Sequence, residues 1–332
     1  MTDKTLQIGV VGAGVMGSGH IEYLTSEVPG VRVAAVAEPN EGLRQAVMDR
    51  WSLDGPVFDT LEEMLDGVEL DGVVIASPDR FHAESIRLCL SRGIRALCEK
   101  PLAQNLADGA ELVELASQSL TDHGVPLIHL GFMRRFDPPF IDVKRMIESG
   151  DMGQLLYINA STRNVSSPHI TSEELLTNIA VHEVDTLRWL LADEWATRSV
   201  LKGRSTTAAP EGTQDPIVLT GTMANGVVIV SDIFANNSYG YDVRSEMTFE
   251  KGVVRVGIWG DVTVVADHEH PAQPGFTLGE NWIARFRQAY IDELRAWVGT
   301  LRGISSPDLA TIEDGYRALE VLDWVTNKPT GS

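Results

Sequence analysis

Cysteine is scarce in this sequence: the 332 residues contain only Cys89 and Cys98, which lie in separate predicted elements without paired spacing. Two thiols in that arrangement form neither a disulfide framework nor a zinc site. No apolar run is long enough to cross a membrane, and the opening MTDKTLQIGVVGAG lacks the apolar core of a signal peptide. These absences predict a cytoplasmic protein with reduced thiols and no membrane contact.

Basic residues are also in deficit. Lys and Arg number 27 against 47 Asp and Glu, which gives a formal net charge of −20, and no basic run is present. Nucleic acids and anionic membranes require a positive surface, so both are excluded as partners. The length is about twice that of a typical domain, and 43% of the residues are hydrophobic. We therefore predict two domains, at residues 1–130 and 131–332, with a last helix that can pack back on the first domain.

A short apolar run, Leu6–Val11, predicts a strand that leads into a glycine-rich turn and then a helix from Val15 to about Val28. The turn has the pattern GxGxxG. Glycines at these positions permit a tight turn, close approach of the backbone to a pyrophosphate, and close packing of helix on strand. The helix N-terminus also favours an anion. A dinucleotide site is therefore predicted at Gly12, Gly14, Val15, Met16 and Gly17.

The identity of the nucleotide depends on the end of the second strand. The run Val31–Ala37 ends in Glu38, at the distance from the glycines where a carboxylate binds the adenosine ribose. A carboxylate repels a 2′-phosphate, so Glu38 favours NAD over NADP. The nearest downstream arginine, Arg44, lies inside the next predicted helix. NAD is the predicted cofactor.

Strands and helices continue to alternate through the first domain. Further strands are predicted at residues 72–76, 94–98 and 127–130, with helices between them. This alternation with short loops predicts an α/β fold with a doubly wound parallel sheet. Ligands bind at the carboxyl ends of such strands. For His82, which follows one of these ends, capping of a helix is an alternative role. The residues expected to border the cofactor are Ser77, Pro78, His82, Glu99 and Lys100.

After Gly131 the pattern changes to strands joined by hairpin turns. Two helices, at about residues 281–301 and 306–325, close the chain, and residues 204–215 are predicted to form an exposed connection. The pattern predicts a second α/β domain with an open, mostly antiparallel sheet. Its predicted strands are residues 155–163, 217–222, 227–234, 243–249, 253–256 and 262–266.

A long helix is predicted after a capping box formed by Thr171 and Glu174. Its apolar face contains Leu176, Ala180, Val184, Leu187 and Leu191. The opposite side contains Asn178, His182, Asp185 and Trp189 at positions i, i+4, i+7 and i+11. This stripe is equally consistent with a solvated polar face and with the wall of a cleft.

No metal is predicted. His268 and His270 place two imidazoles on one predicted strand face, but no third ligand is evident and Pro271 follows. The remaining histidines have no spacing that implies ligation.

Five segments occur in order along the chain: GAGVMG, SPDRFHAES, LCEKPLA, GFMRRFDP and VHEVDTLRWL. In combination they resemble the glucose–fructose oxidoreductase, inositol dehydrogenase and rhizopine-catabolism (Gfo/Idh/MocA) family, and the resemblance covers nearly the whole chain. TRNVSSPHITSEELLT, NNSYGYDVRSE and NWIARFRQAYIDEL are most similar to its inositol 2-dehydrogenase branch. The resemblance implies a Rossmann domain, then an α/β domain with an open, largely antiparallel sheet through which subunits form a homo-oligomer, a tetramer or a dimer.

The resemblance also implies roles for matching residues. Lys100 corresponds to the active-site lysine of the EKP motif, and His182 to the catalytic acid/base on the long helix. Tyr239 and Tyr241 have equal strand parity, so both are expected to face the same way. His169, near the start of the long helix, is a further candidate for the substrate pocket. The residues implied to line that pocket are Met133, Asn164, Asn178, Asp185, Tyr239 and Tyr241.

One position departs from the inositol-type pattern. The family has an aspartate four residues before the catalytic histidine, where this sequence has Asn178. An asparagine can hydrogen-bond His182 but cannot supply negative charge to an imidazolium. Three interpretations are open: Lys100 and His182 suffice with Asn178, another carboxylate such as Asp185 or Glu183 substitutes, or the substrate and chemistry differ.

These features predict an NAD-dependent dehydrogenase that oxidises a secondary hydroxyl of a ring polyol or sugar. His182 would accept the hydroxyl proton, and Lys100 would stabilise the developing negative charge on the same oxygen. One alternative is an oxidoreductive glycosidase that oxidises a sugar transiently and retains its NAD. A second alternative is a non-catalytic NAD-binding sensor.

Overall fold

The structure is a computed structural model that describes residues 4–119, 125–257 and 281–327. The chain divides into two compact units. One contains Met1–Met133 and Ala289–Leu319, and the other contains Arg134–Gln288 and Glu320–Ser332. Within the described ranges, no helix has both the length and the apolar character needed to span a membrane.

The first part of the chain alternates between strands and helices, with a short 3₁₀ turn at Asp79–Phe81. Its regular elements are β1 (Leu6–Val11), α1 (Val15–Ser26), β2 (Val31–Ala37), α2 (Glu41–Trp51), β3 (Val57–Phe58), α3 (Leu61–Gly67), β4 (Gly72–Ile75), α4 (His82–Arg92), β5 (Ala96–Glu99), α5 (Leu106–Ser117) and β6 (Ile128–Gly131).

The later part begins with a 3₁₀ turn at Met133–Phe136 and is richer in strands. Its elements are α6 (Pro138–Ser149), β7 (Leu155–Val165), α7 (Ser172–Glu174), α8 (Val181–Leu191), β8 (Trp195–Lys202), β9 (Ile217–Met223), β10 (Val228–Asn237), β11 (Asp242–Phe249), β12 (Gly252–Val256), α9 (Trp282–Leu301), β13 (Ala310–Thr311) and α10 (Ile312–Asn327).

The first unit contains a seven-stranded sheet in the order β13-β6-β5-β4-β1-β2-β3. Strands β1 to β6 pair in parallel, and only the short β13 is antiparallel. All four residues of β4 and all four of β5 are buried, as expected for a parallel sheet covered on both faces. A Cβ at Gly72 would lie 3.0 Å from the Trp297 ring, so the absence of a side chain there lets α9 pack closely. The predicted doubly wound Rossmann sheet is confirmed.

The second unit contains a six-stranded open sheet in the order β12-β11-β7-β10-β9-β8. Both predicted hairpins are present as antiparallel pairs, β9–β10 and β11–β12. The exception to antiparallel pairing is β7 with β10, which run in parallel. Along β7, Ile158, Ala160 and Thr162 are buried while Asn159 is exposed, so one face of the sheet carries the core. The predicted α/β domain with a mostly antiparallel sheet is confirmed.

The predicted long helix is interrupted. The capping box is present, because Thr171 Oγ1 accepts from Glu174 N and Glu174 Oε2 accepts from Thr171 N. However, α7 covers one turn, and residues Leu175–Ala180 form a π-helix before α8 begins. A π segment inserts an extra residue per turn, so positions on either side of it do not keep one α-helical face. The single polar stripe from residue 178 to residue 189 is therefore corrected.

Two other predictions require correction. The final helix begins at Ile312, not near residue 306, because Thr311 and Asp314 cap it: Thr311 Oγ1 accepts from Asp314 N and Asp314 Oδ2 accepts from Thr311 N. The connection at 204–215 is not exposed throughout, because Asp215 is completely buried and hydrogen-bonded to β10. The predicted strand at 262–266 lies outside the described residues.

Candidate functional site

The glycine-rich turn between β1 and α1 explains the position of each glycine. Gly12 has φ +90°, and a Cβ there would lie 2.5 Å from the Ala76 carbonyl oxygen. A Cβ at Gly17 would lie 1.9 Å from the Gly12 oxygen, so only glycine lets α1 start against the turn. At Gly14, by contrast, a Cβ would meet nothing within 4 Å. The open space beside Gly14 at the N-terminus of α1 leaves room for a pyrophosphate, which could then accept hydrogen bonds from the backbone N–H groups there.

Polar groups around this turn fit the rest of a dinucleotide. The Glu38 carboxylate is buried and accepts from Ala13 N at 2.8 Å and from Asn40 N at 2.9 Å, which ties the ends of β1 and β2 together. The Ser77 hydroxyl is buried and has no hydrogen-bond partner among the described residues, so it can bond a ligand oxygen. Arg44 is paired with Asp59 at 2.6 Å. Pro78 and Val15 are exposed beside these groups, and Met16 is half-buried.

Lys100 follows β5 directly and is half-buried. The preceding Glu99 is buried, and its Oε1 lies 2.8 Å from Nε2 of the buried His20 on α1. Burial raises the pKa of the Glu99 carboxyl, but the hydrogen bond from His20 and the positive charges of His20 and Lys100 outweigh burial and hold that pKa below its usual value. Glu99 therefore places a carboxylate immediately before Lys100.

His82 lies behind the same segment. It is 1% exposed, with Nδ1 2.8 Å from the Pro101 carbonyl oxygen and Nε2 2.9 Å from the Ser77 carbonyl oxygen. The ring thus connects the loop after β4 with the loop after β5. Both of its nitrogens contact backbone, so the contribution of His82 to a cofactor site is the placement of Ser77 and of the residue after Lys100.

The second unit has a buried ionic core beneath its sheet. Arg134 is 1% exposed and donates to Glu183 Oε2 at 2.9 Å and to Thr162 Oγ1 at 3.1 Å. Thr162 also donates to Glu183 at 2.9 Å, which closes a triangle between the 3₁₀ turn, β7 and α8. A buried pair of this kind requires these hydrogen bonds, because desolvation of both charges is costly. Glu183 is thus committed to structure, which weighs against it as the substitute carboxylate.

Asp185 is part of a second buried pair. Arg135 Nε donates to Asp185 Oδ2 at 2.9 Å, and Arg135 Nη2 donates to Oδ1 at 2.5 Å, a bidentate arrangement. Asp185 is completely buried. Both oxygens of the Asp185 carboxylate are bonded to Arg135. A role for Asp185 in substrate binding stays a prediction.

His182 and Asn178 occupy different positions along the interrupted helix. Both are half-buried, whereas Asp185 and Trp189 are buried. Every residue of α8 from Val181 to Leu190 except His182 is buried, so His182 is the one half-buried residue in that stretch. Asn178 lies within the π-helix.

The two tyrosines do not share a strand. Residues 238–241 form a turn between β10 and β11 in which Gly240 has φ +127°, so the parity argument for Tyr239 and Tyr241 fails. Tyr239 OH accepts a hydrogen bond from Arg163 Nη1 at 3.1 Å. The Tyr241 ring packs edge-on against the Phe286 ring, with the two ring centroids 6.2 Å apart. Burial raises the pKa of both hydroxyls. Each tyrosine therefore has its own environment.

The remaining predicted substrate residues lie at element ends. Asn164 is half-buried near the end of β7, and its parity matches that of the core-facing Thr162. His169 is exposed in the loop before α7, and Met133 is buried at the start of its 3₁₀ turn.

Sequence reasoning missed the buried arginines and the histidine partner of Glu99. The signal for Arg134 and Arg135 was available: they are adjacent in an acidic chain and lie between Met133 and Phe136 in an apolar context. His20 lay on the predicted dinucleotide-binding helix with no spacing to mark it.

The described residues contain no group of three or more His, Cys, Asp or Glu side chains placed to hold a metal ion. The segment with His268 and His270 lies outside those residues. Burial raises the pKa of the Cys89 thiol to about 12 and that of Cys98 well above its usual value, so both thiols are unreactive.

Two family models match the chain. Residues 6–121 match the model of an oxidoreductase family with an NAD-binding Rossmann fold, GFO/IDH/MocA. Residues 140–255 match the GFO/IDH/MocA C-terminal domain. The matches fall in the two successive parts of the chain that carry the parallel and the mostly antiparallel sheet.

Individual proteins are similar over almost the full length. The chain is 36% identical over 325 residues to inositol 2-dehydrogenase 2 of Saccharopolyspora erythraea, covering 96% of this chain and 91% of that protein. It is 37% identical over 325 residues to inositol 2-dehydrogenase of Streptomyces avermitilis, with the same coverage, 96% and 91%. A solved structure of myo-inositol dehydrogenase from Lactobacillus casei, in complex with NAD(H) and myo-inositol, superposes with a TM-score of 0.86 at 26% identity, covering 97% of this chain and 94% of that one.

Proposed function

Because the chain belongs to the GFO/IDH/MocA family of NAD-binding oxidoreductases, we propose that it oxidises a secondary hydroxyl of a cyclic polyol, with myo-inositol as the first candidate substrate. The observation that carries this proposal is the reach of the similarity to inositol 2-dehydrogenases, which extends over 96% of the chain and so includes the C-terminal unit. The relatives' names favour neither a glycosidase nor a sensor.

His182 is the proposed general base. His182 is half-buried on α8, and an imidazole is the side chain that most often accepts a proton in catalysis, so it can take the hydroxyl proton on a ring nitrogen. NAD, when bound, supplies the hydride acceptor. Lys100 is the proposed donor to the same oxygen, where its ammonium stabilises the negative charge that develops as the proton leaves.

The cofactor would be held by the first unit. Gly12, Gly14 and Gly17 with the N-terminus of α1 suit the pyrophosphate, and Glu38 suits the adenosine ribose. The Ser77 hydroxyl is a further donor. The Glu38 carboxylate and the engagement of Arg44 by Asp59 both disfavour a 2′-phosphate, which supports NAD over NADP.

The direct test follows absorbance of NADH while purified protein and NAD are given inositols, free sugars and glycosides, with chromatography of the products. We expect NADH with myo-inositol or another free cyclitol. Cleavage of a glycoside without NADH would contradict the proposal and indicate the oxidoreductive glycosidase. Tight NAD binding with no turnover of any polyol would contradict it in favour of the sensor.

Lys100→Met removes the ammonium while keeping an unbranched side chain of similar length. If Lys100 stabilises the reacting oxygen, kcat should fall by about 10²-fold or more, since charge-stabilising and proton-transfer groups contribute on that scale. NAD affinity, measured by titration, should stay unchanged. Lys251→Met is the matched control, because Lys251 is exposed and its ammonium donates to the Asp151 carbonyl oxygen. Normal turnover by Lys100→Met would refute the assignment.

We propose further that the protein is a cytoplasmic homo-oligomer, a dimer or tetramer, assembled through the outer face of the second sheet. Apolar side chains on the strands of that sheet support this proposal: Leu201 is 59% exposed, Val228 42% and Val253 44%. Light scattering coupled to size exclusion would report the mass, and a monomer at micromolar concentration would contradict the assembly.

A further inference from the structure

The end of β10 contains a shift in strand register that changes the direction of the Asn236 and Asn237 side chains. Phe234 pairs with Arg163 of β7, but the next pair is Asn237 with Val165, so β10 has one more residue than β7 across this interval. An extra residue of this kind is a β-bulge, which breaks the ladder locally and leaves backbone groups to be satisfied elsewhere. Ala235 and Asn236 occupy the bulge.

A buried carboxylate satisfies the bulge. Asp215 is completely buried, and its oxygens accept from Ala235 N at 2.9 Å, from Asn236 N at 3.0 Å and from Asn236 Nδ2 at 3.0 Å. Asp215 is held in turn by Ser205, whose Oγ accepts from Asp215 N at 2.9 Å and donates to the Thr213 carbonyl oxygen. The connection between β8 and β9 therefore determines the shape of the end of β10.

The two asparagines hold residues 164–169, which are the last two residues of β7 and the loop that follows it and are together named loop 164–169. Asn237 Nδ2 donates to the Asn164 carbonyl oxygen at 2.6 Å, while Asn237 Oδ1 accepts from Tyr239 N at 2.9 Å and Gly240 N at 3.0 Å. Asn236 Oδ1 accepts from Ser167 N at 2.6 Å. Asn237 thus bonds the backbone at residue 164, and Asn236 bonds the backbone at residue 167.

The backbone between these two hydrogen-bonded positions contains a strained residue. Ser166, between the two anchored positions, has φ +50°, in the left-handed region that non-glycine residues rarely adopt. Such a conformation persists only where the surroundings impose it. The bonds from Asn236 and Asn237 on either side of Ser166 provide that constraint.

We propose that Asp215, Asn236 and Asn237 form a positioning device, the bulge clamp, that holds loop 164–169 and the turn at Tyr239 in the geometry that binds the cyclitol. The clamp rests on the proposed function, because loop 164–169 carries the substrate candidates Asn164 and His169. None of the three clamp residues needs to touch the substrate. Their effect is transmitted through the backbone of the two segments that they join.

Asn237→Asp tests the clamp with almost no change of shape. The carboxylate keeps the acceptor for Tyr239 N and Gly240 N but turns an acceptor toward the Asn164 oxygen, so at pH 8 the two oxygens repel. We expect KM for myo-inositol to rise about 10-fold at pH 8, the scale of one lost and opposed hydrogen bond. The kcat should change by less than about 3-fold, and NAD affinity should not change. Burial at this position and the facing Asn164 oxygen should raise the pKa of the introduced carboxyl. Lowering the pH toward 5.5 should therefore restore a donor in part, and the KM ratio to wild type should shrink.

Asn225→Asp is the matched control. Asn225 Oδ1 likewise accepts from the backbone N–H two residues on, at Val227 N, but Asn225 lies in an exposed hairpin, and its Nδ2 donates to no other of the described residues. Its backbone N donates to Asp193 Oδ2 at 2.7 Å, a bond that the substitution leaves in place. An equal KM in Asn237→Asp and wild type at both pH values would overturn the clamp. So would an equal rise in the control. Ser205→Ala is a milder second variant, expected to raise KM by about 3-fold through loss of one bond to Asp215.

Thermal unfolding separates failure of the clamp from failure of the proposed function. If the wild-type protein oxidises no polyol, the proposed function is wrong. The effect of the bond from Asn237 Nδ2 to the Asn164 oxygen on the unfolding temperature can still be measured. Asn237→Asp should then unfold at a lower temperature than wild type at pH 8, with a smaller deficit at pH 5.5, and Asn225→Asp should show no such pattern. Equal unfolding temperatures of Asn237→Asp and wild type at both pH values would overturn the clamp independently of activity.

Discussion

At the scale of single residues, the chemistry depends on what surrounds each side chain. Lys100 was recognisable from its place after a buried strand, but the buried His20–Glu99 pair beside it was not. Asp185 illustrates the reverse: the family resemblance implies that it lines the substrate pocket, and Arg135 holds its carboxylate through two bonds. Spacing along a helix predicts which residues are near one another, whereas partners from distant segments decide what each residue can do.

Asn178→Asp tests the departure from the family pattern. If the side chain at position 178 contacts His182, a carboxylate there stabilises the imidazolium, so the base becomes stronger and loses its proton at higher pH. We expect the acid limb of the kcat/KM profile to move up by about one pH unit, with a higher kcat above it. Rate measurements from pH 6 to 10 would show both effects.

Asn225→Asp again provides the control, since it adds the same charge at an exposed hairpin. An unmoved acid limb in Asn178→Asp would mean that position 178, within the π-helix, does not act on His182.

At the scale of elements, local irregularities lie near the residues that we propose bind a ligand. The glycine-rich turn, the π-helix before α8 and the bulge at the end of β10 each break a regular element beside residues that are assigned to a ligand. The capping box at Thr171 was evident from its short pattern. The π-helix and the bulge were not, because both arise from packing and pairing with other segments rather than from the residues within them.

Gly17→Ala and Gly14→Ala should separate the packing role of the turn from its binding role. A Cβ at position 17 would collide with the Gly12 oxygen at 1.9 Å, so α1 must shift. We expect loss of about 1–3 kcal/mol of stability together with weaker NAD binding. A Cβ at position 14 meets nothing within 4 Å, so Gly14→Ala should keep its stability and weaken NAD binding only.

Thermal unfolding and NAD titration of both variants check this prediction. Unchanged NAD affinity in Gly14→Ala would contradict the placement of the pyrophosphate at that residue.

At the scale of the whole molecule, residues near the C-terminus complete the N-terminal sheet. Strand β13 pairs with β6, and the buried His129 contacts the Ala310 carbonyl oxygen at 3.3 Å through Nδ1. Burial lowers the pKa of His129 to about 4, despite the opposing effects of the Ala310 bond and of Asp314. The native state therefore keeps this imidazole neutral at pH values where an unfolded chain would protonate it.

The consequence is a loss of stability in mild acid. Between the unfolded pKa near 6.5 and the folded pKa, the unfolded chain binds one more proton, so stability falls as the pH falls through that window and is unaffected above it. From pH 7 to pH 5 we expect His129 to account for about 2 kcal/mol of this loss. His129→Gln should have a flatter profile of unfolding free energy against pH. Parallel profiles for the two proteins, measured by urea titration, would contradict this assignment.

The sequence by itself determined the alternation of strands and helices in the first part of the chain, the two sheet types and the dinucleotide turn. These follow from short-range patterns: period-two and period-3.6 hydrophobicity, glycine where a side chain would collide, and turn residues between apolar runs. The family resemblance added the catalytic roles of Lys100 and His182. Tertiary structure alone decided the ionic core of Arg134 and Glu183, the partner of Asp185, and the clamp that joins Asp215 to residues 164–169. Those contacts join segments far apart in the chain, and each buried charge or unpaired backbone group takes whichever partner the packed fold brings within hydrogen-bond distance.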